Sequence, residues 1–261
     1  MIGIFDSGVG GLTVVKAILD KIPEYDIVYF GDTAHTPYGT KSAETVVGYT
    51  INNIKFLLSQ GATVIVIACN TASSVATTQV LEQFALPIFE VITPAVTQAV
   101  EASTNLNFGI IGTRATISSG IYERKILANR PTARIHSVAC PLLVPLVEEG
   151  WLKKRETAMI VKKYLQPLKT RQIDTLILGC THYPLLKNVI QAKIGKRVEL
   201  IDSSICIAEG IQHFLENHRD IERQLSQTGN LSLFVSDVTD QFKKIAQLTL
   251  KTNISFECVK I

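Results

Sequence analysis

The chain writes one phrase twice. VIVIACNTAS at 64–73 and TLILGCTHYP at 175–184 each run an apolar, β-branched segment straight into a cysteine followed by polar residues. The repetition extends further: IGIFDSG at Ile2–Gly8 resembles FGIIGTR at Phe108–Arg114, laying Gly3 on Gly109 at an offset of 106. Cys69 falls on Cys180 at an offset of 111, and FEVITP matches VELIDS with Glu90 on Glu199 at 109. Three matches in one order at nearly constant spacing mark a duplicated unit, so the chain is read as two related halves.

Each half is built from strand-like runs separated by helical patterns. MIGIF, DIVYF, TVIVIA, PIFEVI, NFGIIG, RIHSVA, DTLILG, RVELID, LSLFVS and ISFEC read as strands. Helices are expected over 42–60, 71–84, 153–169 and 203–217, with Ser42, Thr71 and Ser203 as N-caps. This alternation predicts an α/β fold with mostly parallel sheets in two pseudo-symmetric domains. The first domain is placed at 1–92 plus 203–261, where the tail supplies a helix crossing back and then a strand and helix. The second is placed at 93–202. Two halves joined by two crossings would form a cleft.

Composition narrows the function. With 261 residues, 46% of them apolar, the chain can bury a real core, and its formal charge of +3 is spread without any like-charged block. That pattern points to a small-molecule partner and away from nucleic acid or a membrane. MIGIFDSGVGG lacks the basic start and long apolar stretch of a signal peptide, so a cytoplasmic location is expected. The oligomeric state is not fixed by the sequence, and a homodimer is among the states it allows. The five cysteines are odd in number and contain no CxxC pair, which argues against a disulfide framework. Cys140, Cys206 and Cys258 read as packing residues, because free cysteine usually behaves as a small buried hydrophobe.

Cys69 and Cys180 are different, since both end an apolar run, stand beside polar residues and occupy repeated positions. In parallel sheets ligands gather at the carboxyl ends of strands, and four such ends here are unusual: DSGVGG, GDTAHTPYG, CNTAS and CTHYP. Halves facing one another would set the two thiols on opposite walls of the cleft. Inverting a stereocentre by proton transfer needs a base on one face of a carbon and an acid on the other, and matched thiols can serve both directions. Asp6 could hold an ammonium group, tune Cys69 or cap the glycine turn. The turn at Gly8, Gly10 and Gly11 matches neither nucleotide-binding glycine spacing. His182, two residues beyond Cys180, could move that thiol's proton. A zinc pair is the competing idea for Cys180 and His182, but the other cysteines and histidines lack ligand spacing, so neither metal nor cofactor is expected.

Taken in order, DSGVGGLTV, the GDT and PYG of GDTAHTPYG, ACNTAS, PLVEEGW, GCTHYPLL and IDS resemble the motifs of the bacterial glutamate racemases. The resemblance spans Asp6 to Ser203. It implies two flavodoxin-like domains, a cofactor-independent enzyme and a product, D-glutamate, used for peptidoglycan. It also implies that Cys69 acts on the D-enantiomer and Cys180 on the L-enantiomer, with Asp6 and His182 as auxiliary groups and Glu148 orienting the histidine. Substrate contacts would come from Asp6, Ser7, Tyr38, Gly39, Asn70, Thr71, Thr181 and His182, with Thr113 and Thr116 beside them. Aspartate racemases resemble the chain less, having GGMGP and GCTE where DSGVGG and GCTHYP stand here. His35 and Thr36 occupy positions where the family more often has an arginine and an apolar residue. Members activated by a cell-wall precursor carry an N-terminal extension before the first strand, so that regulation is not expected here. A two-lobed amino-acid binder without chemistry is the alternative of a different class, but a pure binder has no use for a matched thiol pair.

Overall fold

A computed structural model describes residues 1–252 and 254–260. Among the described residues ten strands are formed: β1 (Ile2–Asp6), β2 (Ile27–Gly31), β3 (Val64–Ile67), β4 (Ile88–Glu90), β5 (Asn107–Gly112), β6 (Arg134–Ala139), β7 (Thr175–Gly179), β8 (Glu199–Asp202), β9 (Leu231–Val235) and β10 (Glu257–Cys258). They make two sheets, ordered β10-β9-β2-β1-β3-β4 and β6-β5-β7-β8, and every recorded pairing is parallel. The sequence β2-β1-β3-β4 in one sheet is repeated as β6-β5-β7-β8 in the other, so the duplication is visible in topology. The tail adds β9 and β10 beyond β2, and helix Ser203–Asn217 packs on helix Leu12–Lys21.

Parallel sheets need cover on both faces, and alternation along the strands supplies it. Ile2, Ile4, Val64 and Val66 join one core, whereas Phe5, Ile65 and Ile67 join the core on the opposite face. The second sheet divides the same way, with Phe108, Ile110 and Ile177 on one side and Ile111, Leu176 and Leu178 on the other.

Several local expectations are corrected. Ser42 does cap its helix, accepting from the Thr45 N–H at 3.2 Å. Thr71 and Ser203 do not cap, because their helices start earlier: Cys69 holds the N-cap position of helix Asn70–Val75, and Asp202 caps helix Ser203–Asn217 by accepting from the Ser204 N–H at 3.1 Å. The single helix expected over 71–84 breaks at Ala76 into Asn70–Val75 and Thr77–Gln83. Hydroxyls crowd this stretch, with Ser74 donating to Thr71 O and Thr77 to Ser73 O, and such bonds compete with the helical ladder. The run ISFEC pairs only at its end, Glu257–Cys258, on the sheet edge. Cys140 and Cys206 are buried in the cores as expected, but Cys258 is exposed on that two-residue edge strand.

The repeated glycines share one cause. A Cβ at Gly3 would stand 2.7 Å from Ala62 Cβ, near Ile65 and Leu57; a Cβ at Gly109 would stand 2.4 Å from Ile173 Cδ1, near Leu176 and Leu168. Each second-half neighbour lies at the same offset from its first-half counterpart as Cys180 does from Cys69, so the duplication preserved a tight strand–helix approach. Ala62 Cβ cannot swing aside, whereas Ile173 Cδ1 is a flexible tip. Gly3→Ala is therefore expected to destabilise the protein by about 1–3 kcal/mol through overpacking, and Gly109→Ala by less. Urea midpoints of the two variants check the order, and an equal or reversed cost would refute the shared packing account.

Candidate functional site

In both sheets the chain order reverses beside the first strand, between β1 and β3 and between β5 and β7, where ligand crevices form at the carboxyl ends. Asp6 ends β1, Cys69 follows β3, Thr113 follows β5 and Cys180 follows β7. One small cavity of about 20 Å³ receives both thiols, and Ser7, Tyr38, Gly39, Asn70, Thr71, Thr113, Thr181 and His182 line it with them. Thr36, Pro37 and Val144 complete the lining. Asp6, Glu148 and Thr116 stand one layer behind. Among the described residues no lysine or arginine reaches the cavity, and no group of three or more His, Cys, Asp or Glu is arranged to hold a metal. No helix of the described residues is long and apolar enough to cross a membrane.

Each cysteine is 5% exposed, but their surroundings differ. Cys69 Sγ has Ser7 Oγ at 3.8 Å. Burial, reinforced by the nearby Asp6 charge, pushes its thiol up to about 12, so it holds its proton at neutral pH. Cys180 Sγ lies 3.8 Å from His182 Nδ1, and His182 Nε2 lies 3.1 Å from Glu148 Oε1. Burial alone would pull this imidazole down, yet the contacts with Cys180 and Glu148 outweigh it and hold His182 well above its ordinary value. With Nε2–H donating to the carboxylate, Nδ1 is the atom available to the thiol's proton.

Asp6 is fully buried and well occupied. Its Oδ2 accepts from the Gly8 and Gly11 N–H groups at 3.1 and 2.9 Å, and Thr181 Oγ1 donates to Oδ1 at 3.2 Å. Desolvation raises its pKa, while His182 and these donors oppose the rise. Of the readings open for Asp6, the structure shows the carboxylate fixing the glycine turn, raising the Cys69 thiol through its charge, and reaching the Cys180 side through Thr181. The turn can come this close only without side chains, since a Cβ at Gly10 would lie 2.4 Å from Thr181 Oγ1 and 2.5 Å from His182 Nδ1.

The remaining residues form hydroxyl and amide clusters. Thr71 Oγ1 is 2.9 Å from Thr113 Oγ1, which is 3.0 Å from Thr116 Oγ1, joining the two halves across the cavity. Tyr38 donates to Asp32 and accepts from Asn53 Nδ2 at 3.0 Å. Burial first, and then Asp32, raises the Tyr38 phenol, which stays protonated. His35 and Thr36 have defined places: His35 Nδ1 is 2.8 Å from Asp32 Oδ1 with its ring stacked on Tyr49, and Thr36 Oγ1 donates to Ser7 O. Sequence reasoning passed over Asp32, although it lies in the quoted GDTAHTPYG, and also Tyr122, and it read Ser203 only as a helix cap; Tyr122 and Ser203 hold the two ends of the Asn70 amide. Tyr122 had no motif to betray it, because its role exists only across the fold.

Comparison with known proteins accords with this geometry. The family model for Asp/Glu/Hydantoin racemase matches residues 12–210. A glutamate racemase of Geobacter metallireducens is 43% identical over 244 residues, covering 94% of this chain and 90% of that protein. Among solved structures, a glutamate racemase isoform of Bacillus anthracis superposes with a TM-score of 0.94 at 35% identity, covering 100% of this chain and 97% of the other. The glutamate racemase of Francisella tularensis in complex with D-glutamate gives 0.90 at 35% identity, covering 99% and 97%. With a family model spanning most of its length and relatives matching nearly all of it, the chain belongs to the Asp/Glu/Hydantoin racemase family.

Proposed function

We propose that this protein interconverts L- and D-glutamate by a two-base mechanism without a cofactor, in a cleft between domains 1–92 plus 203–261 and 93–202. The observation that carries the reading is the pair of buried thiols, each following a central strand of one of two duplicated sheets and both lining one cavity. The choice of glutamate is supported by relatives named glutamate racemase, one of them bound to D-glutamate. In the direction from L to D, the Cys180 thiolate takes the Cα proton of L-glutamate and becomes a thiol. The Cys69 thiol gives its proton to the opposite face of the same carbon and becomes a thiolate. The reverse direction exchanges the roles, and the proton count closes in each turnover.

The surroundings suit these roles. Cys69, held at about 12 by burial and Asp6, is furnished as the donor toward the D-face. His182, backed by Glu148, can accept the Cys180 proton at Nδ1 and remain beside the thiolate as an imidazolium. We further propose that the reaction runs in the cytoplasm, whose reducing conditions keep both thiols free, and that the D-glutamate formed enters peptidoglycan.

Incubating the protein with L-glutamate in deuterated water should give D-glutamate carrying Cα deuterium, and a pure binder would give neither. Cys69→Ala and Cys180→Ala should each lower racemisation by about 10²–10⁴-fold or more, the scale of a lost acid/base group, with the fold retained. Near wild-type turnover in either variant would eliminate the two-thiol mechanism.

The histidine makes a separate prediction. His182 is cationic below its pKa and neutral above it, and Glu148 contributes to raising that value. In Glu148→Gln the deprotonation of His182 should therefore move to lower pH, and the form of the enzyme that needs the imidazolium should be lost at correspondingly lower pH. Nitrogen-15 NMR titration of the ring reads this directly; a midpoint that stays put or rises would show that Glu148 does not tune the histidine.

A further inference from the structure

Tyr122 has a placement that no motif explains. It lies on helix Ile121–Asn129 of the second half and is 2% exposed. Its hydroxyl donates across the cleft to Asn70 Oδ1 at 2.6 Å, on the residue directly after Cys69. Its ring edge, Cε2, stands 3.2 Å from where a Cβ on Gly179 would be, on the residue directly before Cys180. One side chain therefore bonds the residue after Cys69 and packs close beside the residue before Cys180.

The contact with Asn70 has a direction. A side-chain amide presents an acceptor on one side and donors on the other, and which side faces which is decided by its partners. Burial pushes the Tyr122 phenol well above its ordinary value, so the O–H remains in place as a donor. Asn70 must then turn Oδ1 toward Tyr122. Its Nδ2 is left with Ser203 Oγ at 3.5 Å, the outer limit of a hydrogen bond, and Ser203 Oγ is itself engaged with Leu178 O at 3.4 Å. Nδ2 thus keeps donor capacity on a residue that lines the cavity, which no lysine or arginine among the described residues reaches. An anionic substrate there must be held by neutral donors and the imidazolium of His182. A flipped amide would offer it an oxygen instead.

We propose that Tyr122 is a positioning residue that fixes the polarity of the Asn70 amide, so that its NH₂ group is offered to a carboxylate of the substrate. The proposal rests on the glutamate reading of the cleft. A carboxylate is present in both ground and transition states, so this contact acts as uniform binding and its loss appears in KM. A role confined to holding the Cys69 turn would instead lower kcat.

The test measures kcat and KM for both enantiomers. Tyr122→Phe removes only the hydroxyl, and KM should rise about tenfold in both directions while kcat stays within about twofold. In Asn70→Ala, where the amide is gone, adding Tyr122→Phe should have no further effect on KM. Asn70→Asp keeps the acceptor for Tyr122 but offers the substrate an anionic oxygen, and KM should rise by about 10²-fold or more. An unchanged KM in folded Tyr122→Phe, or a fall in kcat at constant KM, overturns the proposal. Should Tyr122→Phe fail to fold, Asn70→Asp decides alone, and a wild-type KM there overturns it. Wild-type protein that does not turn over glutamate would bring down the glutamate reading and this proposal together, whereas normal wild-type turnover with an unmoved KM brings down the proposal only.

Discussion

The rest of the cleft depends on the complete burial of the Asp6 carboxylate. A buried anion is costly unless hydrogen bonds replace its water, and here two glycine N–H groups and the Thr181 hydroxyl do so. Those bonds bend the chain after β1 into a turn that only glycine permits at Gly10, and the turn in turn brings Ser7 beside Cys69. The same carboxylate reaches the opposite half through Thr181. Its charge also bears on the Cys69 thiol, which burial has already raised. Turn geometry, closure of the cleft and the protonation of one thiol thus share one cause.

Duplication gives two equivalent thiols, and divergence at two positions makes them unequal. The alignment that sets Gly3 on Gly109 sets Asp6 on Gly112, the last residues of β1 and β5. The alignment of Cys69 with Cys180 sets Thr71 on His182. One half therefore carries an acid where the other has glycine, and the other carries an imidazole where the first has a hydroxyl. Asp6 discourages a thiolate at Cys69, whereas His182, tied to Glu148, stands ready for the Cys180 proton. The proposed two-base mechanism needs one thiol protonated while the other is not, and two identical environments would not favour that unequal state.

The fold was legible because its information is local and repeated. Strand runs, helix patterns and three matched segments foretell two related parallel sheets, and even the paired glycines could be aligned before their cause was visible. Errors fell where hydroxyl-rich stretches offer competing local bonds, as at Ala76, or where a strand has few neighbours, as at Cys258. At the site, the thiols and the residues beside them were readable from strand ends, and Glu148 from its motif. Tyr122 and the bond between Asn70 and Ser203 were not legible, because a partner distant in sequence leaves no periodicity or spacing to read, and Asp32 was passed over although its partners His35 and Tyr38 stand close by in the same motif. Thr36 stood out only as a departure, and its bond to Ser7 O gives that departure a function in the loop.

The cavity is far smaller than glutamate: about 20 Å³ suits a single water. On the proposed function, substrate reaches the thiols only when the two halves part, so the contacts across the seam decide how readily that happens. Those nearest the thiols are hydrogen bonds from hydroxyls: Thr13 Oγ1 to Thr181 O at 3.1 Å, Thr181 to Asp6, Thr71 with Thr113, and Tyr122 to Asn70. Each of the neutral ones is worth only about 0.5–1.5 kcal/mol net, because water can replace either partner when the seam opens. A carboxylate or ammonium group of the substrate can replace them as well. An apolar seam at the same place would gain from staying shut and would have nothing to offer a charged ligand. The polar seam lets the closed cleft keep bulk water from the thiols and still exchange its own hydrogen bonds for those of the substrate.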